Sequence, residues 1–239
     1  MKFSVKELCI VAVFTAVVCV ATMILKLDIP ATRGFFNVGD SMIYVTALLF
    51  GPIIGGIAGG IGSSLADILL GAPWYAPGTL VIKGVEGLIV GYLGYKIRPK
   101  IEVITRWKTF GAFLGVSLGA ITYYLGSTYY IGIFGNIFLE QLFWAVIATL
   151  LGAFIIYFNL RRELMINWQI LSILCGGVEM IVGYYLYEAL LLPLIAPPEW
   201  GEIIPILEVP FNIGQAVIGL IIAIPIVKTV WRSIPSLRS

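Results

Sequence analysis

Long apolar runs separated by short polar segments make up most of the chain. With a turn at Gly51 and Pro52, they predict eight helices, at about residues 5–25, 38–51, 53–71, 79–96, 109–127, 136–158, 168–192 and 206–231. Most of these runs approach the roughly 20 apolar residues that a helix needs to cross a bilayer. None shows the alternation of a transmembrane β-barrel. The pattern therefore predicts an all-α, polytopic membrane bundle, with residues 1–239 forming a single integral membrane domain.

One stretch permits two interpretations, because Gly51 and Pro52 interrupt the uncharged run between Asp40 and Asp67. The run is either one span over 41–66 or two short helices folded back on each other. Proline cannot donate a backbone hydrogen bond inside a helix and restricts the residue before it, which favours a break. The second helix then has about 14 residues and a length of roughly 21 Å. The loop over 28–37 is available to cover its outer end.

The distribution of basic residues decides between these interpretations, because Lys and Arg concentrate on the cytoplasmic side of membrane proteins. With eight spans, only Lys26, Arg33 and Lys83 of the fifteen basic residues fall on the outer side, and the others fall on the side of the two termini. A single span over 41–66 would move the basic cluster from Lys96 to Lys108 outside and remove most of this segregation. We therefore predict a multi-pass protein of the cell membrane with both termini in the cytoplasm.

Composition excludes several kinds of activity. Hydrophobic residues make up 60% of the 239 residues and charged residues 12%, and the mean hydropathy is +1.02, as in integral membrane proteins. Histidine is absent, which excludes Ser-His and Cys-His nucleophilic sites and histidine-ligated metals. The glycine-rich run lacks the Gly-Lys-Ser/Thr ending of a phosphate-binding loop. We expect no enzymatic activity, cofactor, metal or nucleic-acid partner, and the surrounding partner is the lipid bilayer.

Ionisable residues inside membrane spans often mark sites, because burying each one costs at least about 2.5 kcal/mol. Most of them lie toward the outer half of their spans: Asp40, Asp67, Lys83, Glu86, Glu140, Glu188 and Glu208. This distribution predicts an outward-opening pocket rather than a continuous channel. Lys83 and Glu86, at i and i+3, have two open roles, mutual neutralisation and contact with a ligand. Glu140 and Gln141 are interpreted as contacts between helices.

Helical spacing selects the candidate pocket residues. Asn212 and Gln215 share one face of the last span, following Glu208 at i+4 and i+7. Glu179 and Glu188 differ by about half a turn, so both reach one site only if the helix kinks. The complete set of binding candidates is Asn37, Asp40, Tyr44, Trp74, Tyr75, Lys83, Glu86, Glu179, Tyr184, Glu188, Asn212 and Gln215. For Trp74 and Tyr75, interfacial anchoring and stacking on a flat ring both stay open.

Several motifs together indicate a family. They are Asn37–Asp40, Leu48–Pro52, Gly59–Asp67, Tyr75–Pro77, Lys83–Gly87, Met180–Glu188 and Val209–Ala216. This set resembles the substrate-binding S components of energy-coupling factor (ECF) transporters, in particular the riboflavin-type group. The resemblance covers roughly residues 5–98 and 168–231. It implies a six-helix core and an outward vitamin pocket closed by the loop after the first helix.

The resemblance also implies partners and a ligand class. The partners are a T component, docked on a patch of small residues that Ala12 and Ala16 match, and two ABC-type ATPases. The ligand is a small water-soluble vitamin or precursor, of riboflavin-like, pyridoxine or pyrimidine type. Residues 99–167 depart from the family pattern as an inserted transmembrane hairpin. Because the hairpin adds an even number of crossings, the later topology is unchanged.

Two other classes of function stay open beside this one. A self-sufficient, proton-coupled secondary transporter would use Glu179 and Glu86 as proton carriers. An intramembrane enzyme would require Asp40 and Asp67 to form a carboxylate pair. The predicted function is a binding subunit that captures its ligand outside and releases it inside when the complete complex reorients.

Overall fold

The computed structural model describes residues 3–29, 33–97, 107–129, 136–160, 164–197 and 204–238. Within them, the helices are α1 (Val5–Ile24), α2 (Asp40–Phe50), α3 (Pro52–Leu69), α4 (Ala76–Gly91), α5 (Trp107–Tyr129), α6 (Ile137–Leu160), α7 (Leu164–Leu186), α8 (Leu192–Ile195) and α9 (Val209–Ser233). The only sheet in the described ranges joins β1 (Leu27–Ile29) to β2 (Gly34–Phe36). The predicted all-α membrane fold is confirmed.

Six described helical segments are long and apolar enough to cross a membrane, namely Val5–Ile24, Pro52–Leu69, Ala76–Lys96, Ile137–Tyr157, Trp168–Ile195 and Pro205–Ser233. Helix α2 is also apolar but has only 11 residues, a length of about 17 Å. Helix α5 has 23 residues. A helix therefore occupies each of the eight predicted positions, although the side on which the termini lie stays a prediction.

The chain breaks at Gly51, so the interpretation of residues 41–66 as two helices is confirmed. Helix α2 ends at Phe50 and α3 begins at Pro52. Gly51 has φ 88°, a left-handed conformation that glycine adopts without steric cost. Pro52 is the first residue of α3, where a helix does not need its missing N–H group. This sharp turn folds α3 back against α2, with Gly55 packed on Ala47.

Glycines bring the backbones of α3 and α4 into direct contact. A Cβ atom added at Gly60 would lie 2.5 Å from the Leu80 carbonyl oxygen, and one added at Gly87 would lie 2.5 Å from the Gly55 carbonyl oxygen. Small residues at helix interfaces allow this close approach in membranes, where packing rather than apolar burial drives association. The glycine-rich run therefore fixes α3 against α4, the two helices whose outer ends supply part of the site.

The segment after α1 is a β-hairpin where the sequence predicted a loop. Leu27 pairs with Phe36 and Ile29 with Gly34 in antiparallel register. The hairpin lies against the start of α9, because a Cβ atom on Gly34 would lie 2.6 Å from Glu208 Oε1. Strands of three residues carry too short a pattern for recognition from the sequence, and their tertiary contacts hold them in place.

The predicted spans 79–96 and 168–192 are helical segments over Ala76–Lys96 and Trp168–Ile195, and each contains a π-helical turn. Helix α4 continues into Tyr92–Lys96, and α7 ends at Leu186 and continues into Tyr187–Leu191. Such turns often occur at functional sites. Glu188 lies in the second of these turns and is buried. From this turn Glu188 contacts Glu208 and Tyr75, whereas Glu179 is half-buried near Lys83.

The chain divides into two compact units, Met1–Arg98 with Leu171–Ser239, and Pro99–Ile170. In the second unit α5 and α6 pack antiparallel, with Gly115 against Gly152 and Gly119 against Ala148. Glu140 is buried in this unit and Gln141 is exposed. The sequence-based division into a core over 5–98 and 168–231 with an inserted hairpin over 99–167 stays a prediction.

Candidate substrate-binding site

A narrow polar cavity lies in the first unit where the hairpin meets α3, α4, α7 and α9. Its lining residues are Gly34, Phe35, Asn37, Asp67, Tyr75, Thr79, Tyr184, Glu208, Asn212 and Gln215. Five of the candidates from the sequence are among them: Asn37, Tyr75, Tyr184, Asn212 and Gln215. The free volume of about 20 Å³ has room for about one water molecule. A larger ligand therefore requires the lining to move apart.

Two amides attach the end of the hairpin to α9. The backbone N–H of Asn37 donates to Gln215 Oε1 at 2.9 Å, and Gln215 Nε2 donates to Asn212 Oδ1 at 2.9 Å. The Asn37 side chain accepts a hydrogen bond from the backbone N–H of Gly39 at 2.8 Å. All three amide side chains are buried. The hairpin is thus held over the cavity by directional hydrogen bonds.

We expect Gln215→Leu to release the hairpin from α9. The substitution leaves the buried Asn37 N–H without its acceptor, which costs about 1–2 kcal/mol of unfolding free energy. It should also speed ligand dissociation, because the hairpin separates more often. Unfolding by a denaturing detergent and a stopped-flow dissociation assay measure the two effects. Gln141→Leu is the control, since Gln141 is exposed, and an equal loss of stability there would contradict the assignment.

Carboxyl and hydroxyl groups also line the cavity. The Thr79 hydroxyl hydrogen-bonds to Asp67 and lies 3.0 Å from the Tyr184 hydroxyl oxygen. Asp67 Oδ2 is buried and has no hydrogen-bond partner among the described residues. Glu208 lines the same cavity, and Glu188 lies against Glu208 and Tyr75. The lining therefore presents carboxyl oxygen to anything that enters.

Five of the lining residues were not chosen from the sequence: Gly34, Phe35, Asp67, Thr79 and Glu208. Glu208 shares a helical face with Asn212 and Gln215, so its spacing was sufficient to include it. Asp67 was recognised as an intramembrane carboxylate but was considered only as a catalytic partner of Asp40. A threonine and a phenylalanine have no distinguishing pattern in an apolar sequence. Their roles depend on tertiary position alone.

Four other candidates form a separate buried cluster, which we call the Lys83 cluster: Asp40, Tyr44, Lys83 and Glu86. Lys83 Nζ is ion-paired with Asp40 Oδ1 and lies 3.2 Å from Glu86 Oε2. The Tyr44 hydroxyl donates to Glu86 Oε1 at 2.7 Å. Lys83 is 2% exposed, and Asp40 and Glu86 are 0% exposed. Lys83 is therefore neutralised within the protein, and Asp40 lies in this cluster rather than beside Asp67.

The remaining candidates lie around these two groups. Glu179 is half-buried and interacts electrostatically with Lys83. Trp74 is 38% exposed, and its backbone carbonyl accepts a hydrogen bond from the Tyr187 hydroxyl. Trp74 and the docking candidates Ala12 and Ala16 do not line the cavity, and both alanines are exposed on α1. The Lys83 ammonium lies 5.5 Å from the ring centroid of Tyr184, which joins the Lys83 cluster to the cavity wall.

Comparisons with known proteins agree with this architecture. The sequence model of the family described as "ECF-type riboflavin transporter, S component" matches residues 2–157 and 134–232. The chain is 45% identical over 109 residues to an uncharacterised protein of Pyrococcus woesei, covering 46% of this chain and 67% of that protein. It is 32% identical over 91 residues to a UPF0397 protein of Leuconostoc citreum, covering 38% of this chain and 47% of that protein.

A further relative carries a functional name. The chain is 31% identical over 94 residues to the thiamine precursor transporter HmpT of Lactococcus lactis subsp. cremoris, covering 39% of this chain and 57% of that protein. The chain thus spans about half the length of the UPF0397 and HmpT proteins. The two family matches together cover most of the chain, and the family is a transporter component rather than a class of enzyme. The chain therefore belongs to the S components of ECF transporters, which are membrane subunits.

Proposed function

We propose that this protein captures a small water-soluble vitamin or precursor outside the cell for ATP-driven uptake by partner subunits. A ring of riboflavin, pyridoxine or pyrimidine type suits a site with these groups. The polar cavity beneath the hairpin carries this proposal, because it brings together amides, hydroxyls, carboxyl groups and aromatic rings. Convergent polar groups beside aromatic side chains are typical of small-molecule sites. The name of the HmpT relative supports a vitamin precursor as the ligand class.

The aromatic side chains around the cavity suit a flat ligand. Phe35, Tyr75, Tyr184 and Tyr187 belong to one buried apolar cluster, and the rings of Tyr75 and Tyr187 are centred 6.3 Å apart. Heteroaromatic rings stack favourably on such side chains. The amides of Asn212 and Gln215 then provide donors and acceptors for ring substituents. The cavity thus offers both aromatic rings and amide groups to a ligand.

Movement of the hairpin is the most direct way to admit this ligand. The hairpin has two strands of three residues and a contact through Asn37 to Gln215, whereas α3 and α4 are locked by backbone contact at their glycines. Binding loops commonly close over a ligand in this way. We therefore assign opening to the hairpin and treat α3, α4 and α9 as the fixed wall.

Below the cavity the bundle is filled with buried side chains. Tyr44, Leu48, Met180 and Leu220 are each 0% exposed. Release to the cytoplasm then requires reorientation of the protein by partners rather than passage through it. We propose that these partners are a T component, contacting α1 near Ala12 and Ala16, and two ABC-type ATPases. In α1 only Val18 and Thr22 are buried, so the helix has surface available for a partner.

Transport by reconstituted protein tests this proposal. In proteoliposomes, the chain alone should bind the vitamin without accumulating it. Addition of a T component, ATPase subunits and internal ATP should produce accumulation. Native mass spectrometry of the detergent-purified chain should detect a bound vitamin. Accumulation by the chain alone, driven by a pH gradient without ATP, would instead establish a secondary transporter and contradict the proposal.

A further inference from the structure

The cavity has an unbalanced charge. Asp67 and Glu208 line it, and none of its described lining residues is Lys or Arg. A third carboxyl group, that of Glu188, lies against Glu208. Lys83 directs its ammonium group to Asp40 and Glu86. The cavity therefore favours a ligand that offers N–H donors or positive charge.

Asp67 is the carboxyl group best placed to receive such a donor. It is 5% exposed and lines the cavity. Thr79 holds its carboxyl group by a hydrogen bond, and Oδ2 has no hydrogen-bond partner among the described residues. A buried carboxylate oxygen without a donor is unfavourable unless something else supplies the hydrogen bond. Asp67 is thus oriented, buried and unsatisfied at the cavity surface.

We propose that the ligand carries an amidine-type edge, a ring nitrogen beside an exocyclic amine as in 4-aminopyrimidines, and that Asp67 binds this edge. The inference rests on the proposed function and specifies its substrate class. A protonated amidine presents two parallel N–H donors, which match the two oxygens of one carboxylate. The pyrimidine edge of a flavin presents a carbonyl, an N–H and a carbonyl. Its two carbonyl oxygens would face the carboxylate and be repelled.

The remaining lining residues are compatible with this orientation. Tyr75 and Tyr184 provide aromatic rings at the cavity surface, and Glu208 strengthens the negative potential. The amides of Asn212 and Gln215 also line the cavity and remain for other substituents of the ring. The proposed anchor thus lies near the end of α3, and the amides lie on α9.

Equilibrium binding to the purified full-length chain tests the inference. The probes are 4-amino-5-hydroxymethyl-2-methylpyrimidine, its 4-oxo analogue, pyridoxine and riboflavin. We expect the 4-amino compound to bind about 10- to 100-fold more tightly than the 4-oxo analogue, as for a hydrogen bond to a charged group. Asp67→Asn should remove most of this preference. Asp28→Asn neutralises an exposed acid on β1 and should preserve it.

Each outcome has a distinct consequence. If Asp67→Asn elutes as a folded monomer and retains the preference for the 4-amino compound, the inference is overturned. Tighter binding of riboflavin or pyridoxine than of the 4-amino compound by the unmodified chain also overturns it, while the proposed capture of a vitamin stands. If none of the four probes binds, the proposed function fails as well.

Discussion

Lys83→Met is expected to lower the free energy of unfolding by about 3–5 kcal/mol, because it removes one partner of a buried ion pair and leaves the other charges uncompensated. Asp40 and Glu86 are fully buried around the ammonium group. Methionine matches the shape of the lysine stem, so the loss would come from charge rather than from a cavity. Reversible unfolding in mixed detergent micelles measures the difference.

Two further variants separate the ion pair from general effects of removing lysine. Lys26 forms a 2.9 Å ion pair with the largely exposed Asp28, so Lys26→Met should cost less than about 1 kcal/mol. The triple variant Lys83→Met, Asp40→Asn, Glu86→Gln should recover part of the loss, because no buried charge then lacks a partner. If Lys83→Met costs no more than Lys26→Met, the Lys83 cluster does not stabilise the fold.

The Lys83 cluster joins two helices, α2 and α4, and lies next to the cavity wall. Asp40 is the first residue of α2, where the helix N-terminus also favours a carboxylate, while Lys83 and Glu86 lie on α4. The Lys83 ammonium in turn contacts the face of Tyr184 on α7. One buried lysine thus connects α2, α4 and α7. Lys83 contacts a residue of the cavity wall, Tyr184, but does not itself line the cavity.

The positions of the helices could be predicted from the sequence, because the bilayer strongly restricts the residues of a spanning segment. Every backbone polar group in a span must be satisfied within the helix, so spans appear as long apolar runs. The break at Gly51 was also accessible, since proline ends helices for a local covalent reason. The distribution of the basic residues then favoured two spans over a single span at residues 41–66. These features depend on neighbours in the chain or on the membrane itself.

The hairpin and the π-helical turns could not be predicted from the sequence, because they depend on contacts far away in the chain. Each involves only a few residues, and the contacts that hold it lie far away in the chain. The hairpin is held through Asn37 to Gln215, which are 178 residues apart. No local sequence pattern indicates a contact between residues so far apart in the chain. The turn at Tyr187–Leu191 likewise follows an uninterrupted helical pattern.

The candidate site could be predicted only in part from the sequence. Counting along the spans placed Asp40, Lys83, Asp67 and Glu208 in the outer half of the membrane. Their depth in the membrane does not show that they belong to two separate groups, the Lys83 cluster and the cavity lining. The division depends on which helices are neighbours, and this packing places Asp40 beside Lys83 and Asp67 beside Thr79. Residues chosen for charge therefore include a structural cluster, whereas Asp67 was not chosen although it lines the cavity.

Gly87→Ala is expected to cost about 3 kcal/mol, at the upper end for an overpacked site. The added methyl group would lie 2.5 Å from the Gly55 carbonyl oxygen and 2.6 Å from its carbonyl carbon. Backbone atoms of α3 cannot rotate away as a side chain can, so α4 must shift as a whole. Because α3 carries Asp67 and α4 carries Thr79, this shift should also weaken ligand binding. The same detergent unfolding assay and the binding assay measure both effects.

Gly84→Ala supplies the matched control, one helical turn earlier on α4. A Cβ atom there would lie 3.6 Å from the Gly56 carbonyl oxygen on α3, which is ordinary van der Waals contact. Alanine also favours the helix over glycine by up to about 1 kcal/mol, so this variant should be neutral or stabilised. Equal losses for both variants would show that glycine flexibility, rather than backbone contact with α3, matters along α4. A loss confined to Gly87→Ala ties the site to the α3–α4 contact, because the helices that form it also position Asp67 and Thr79.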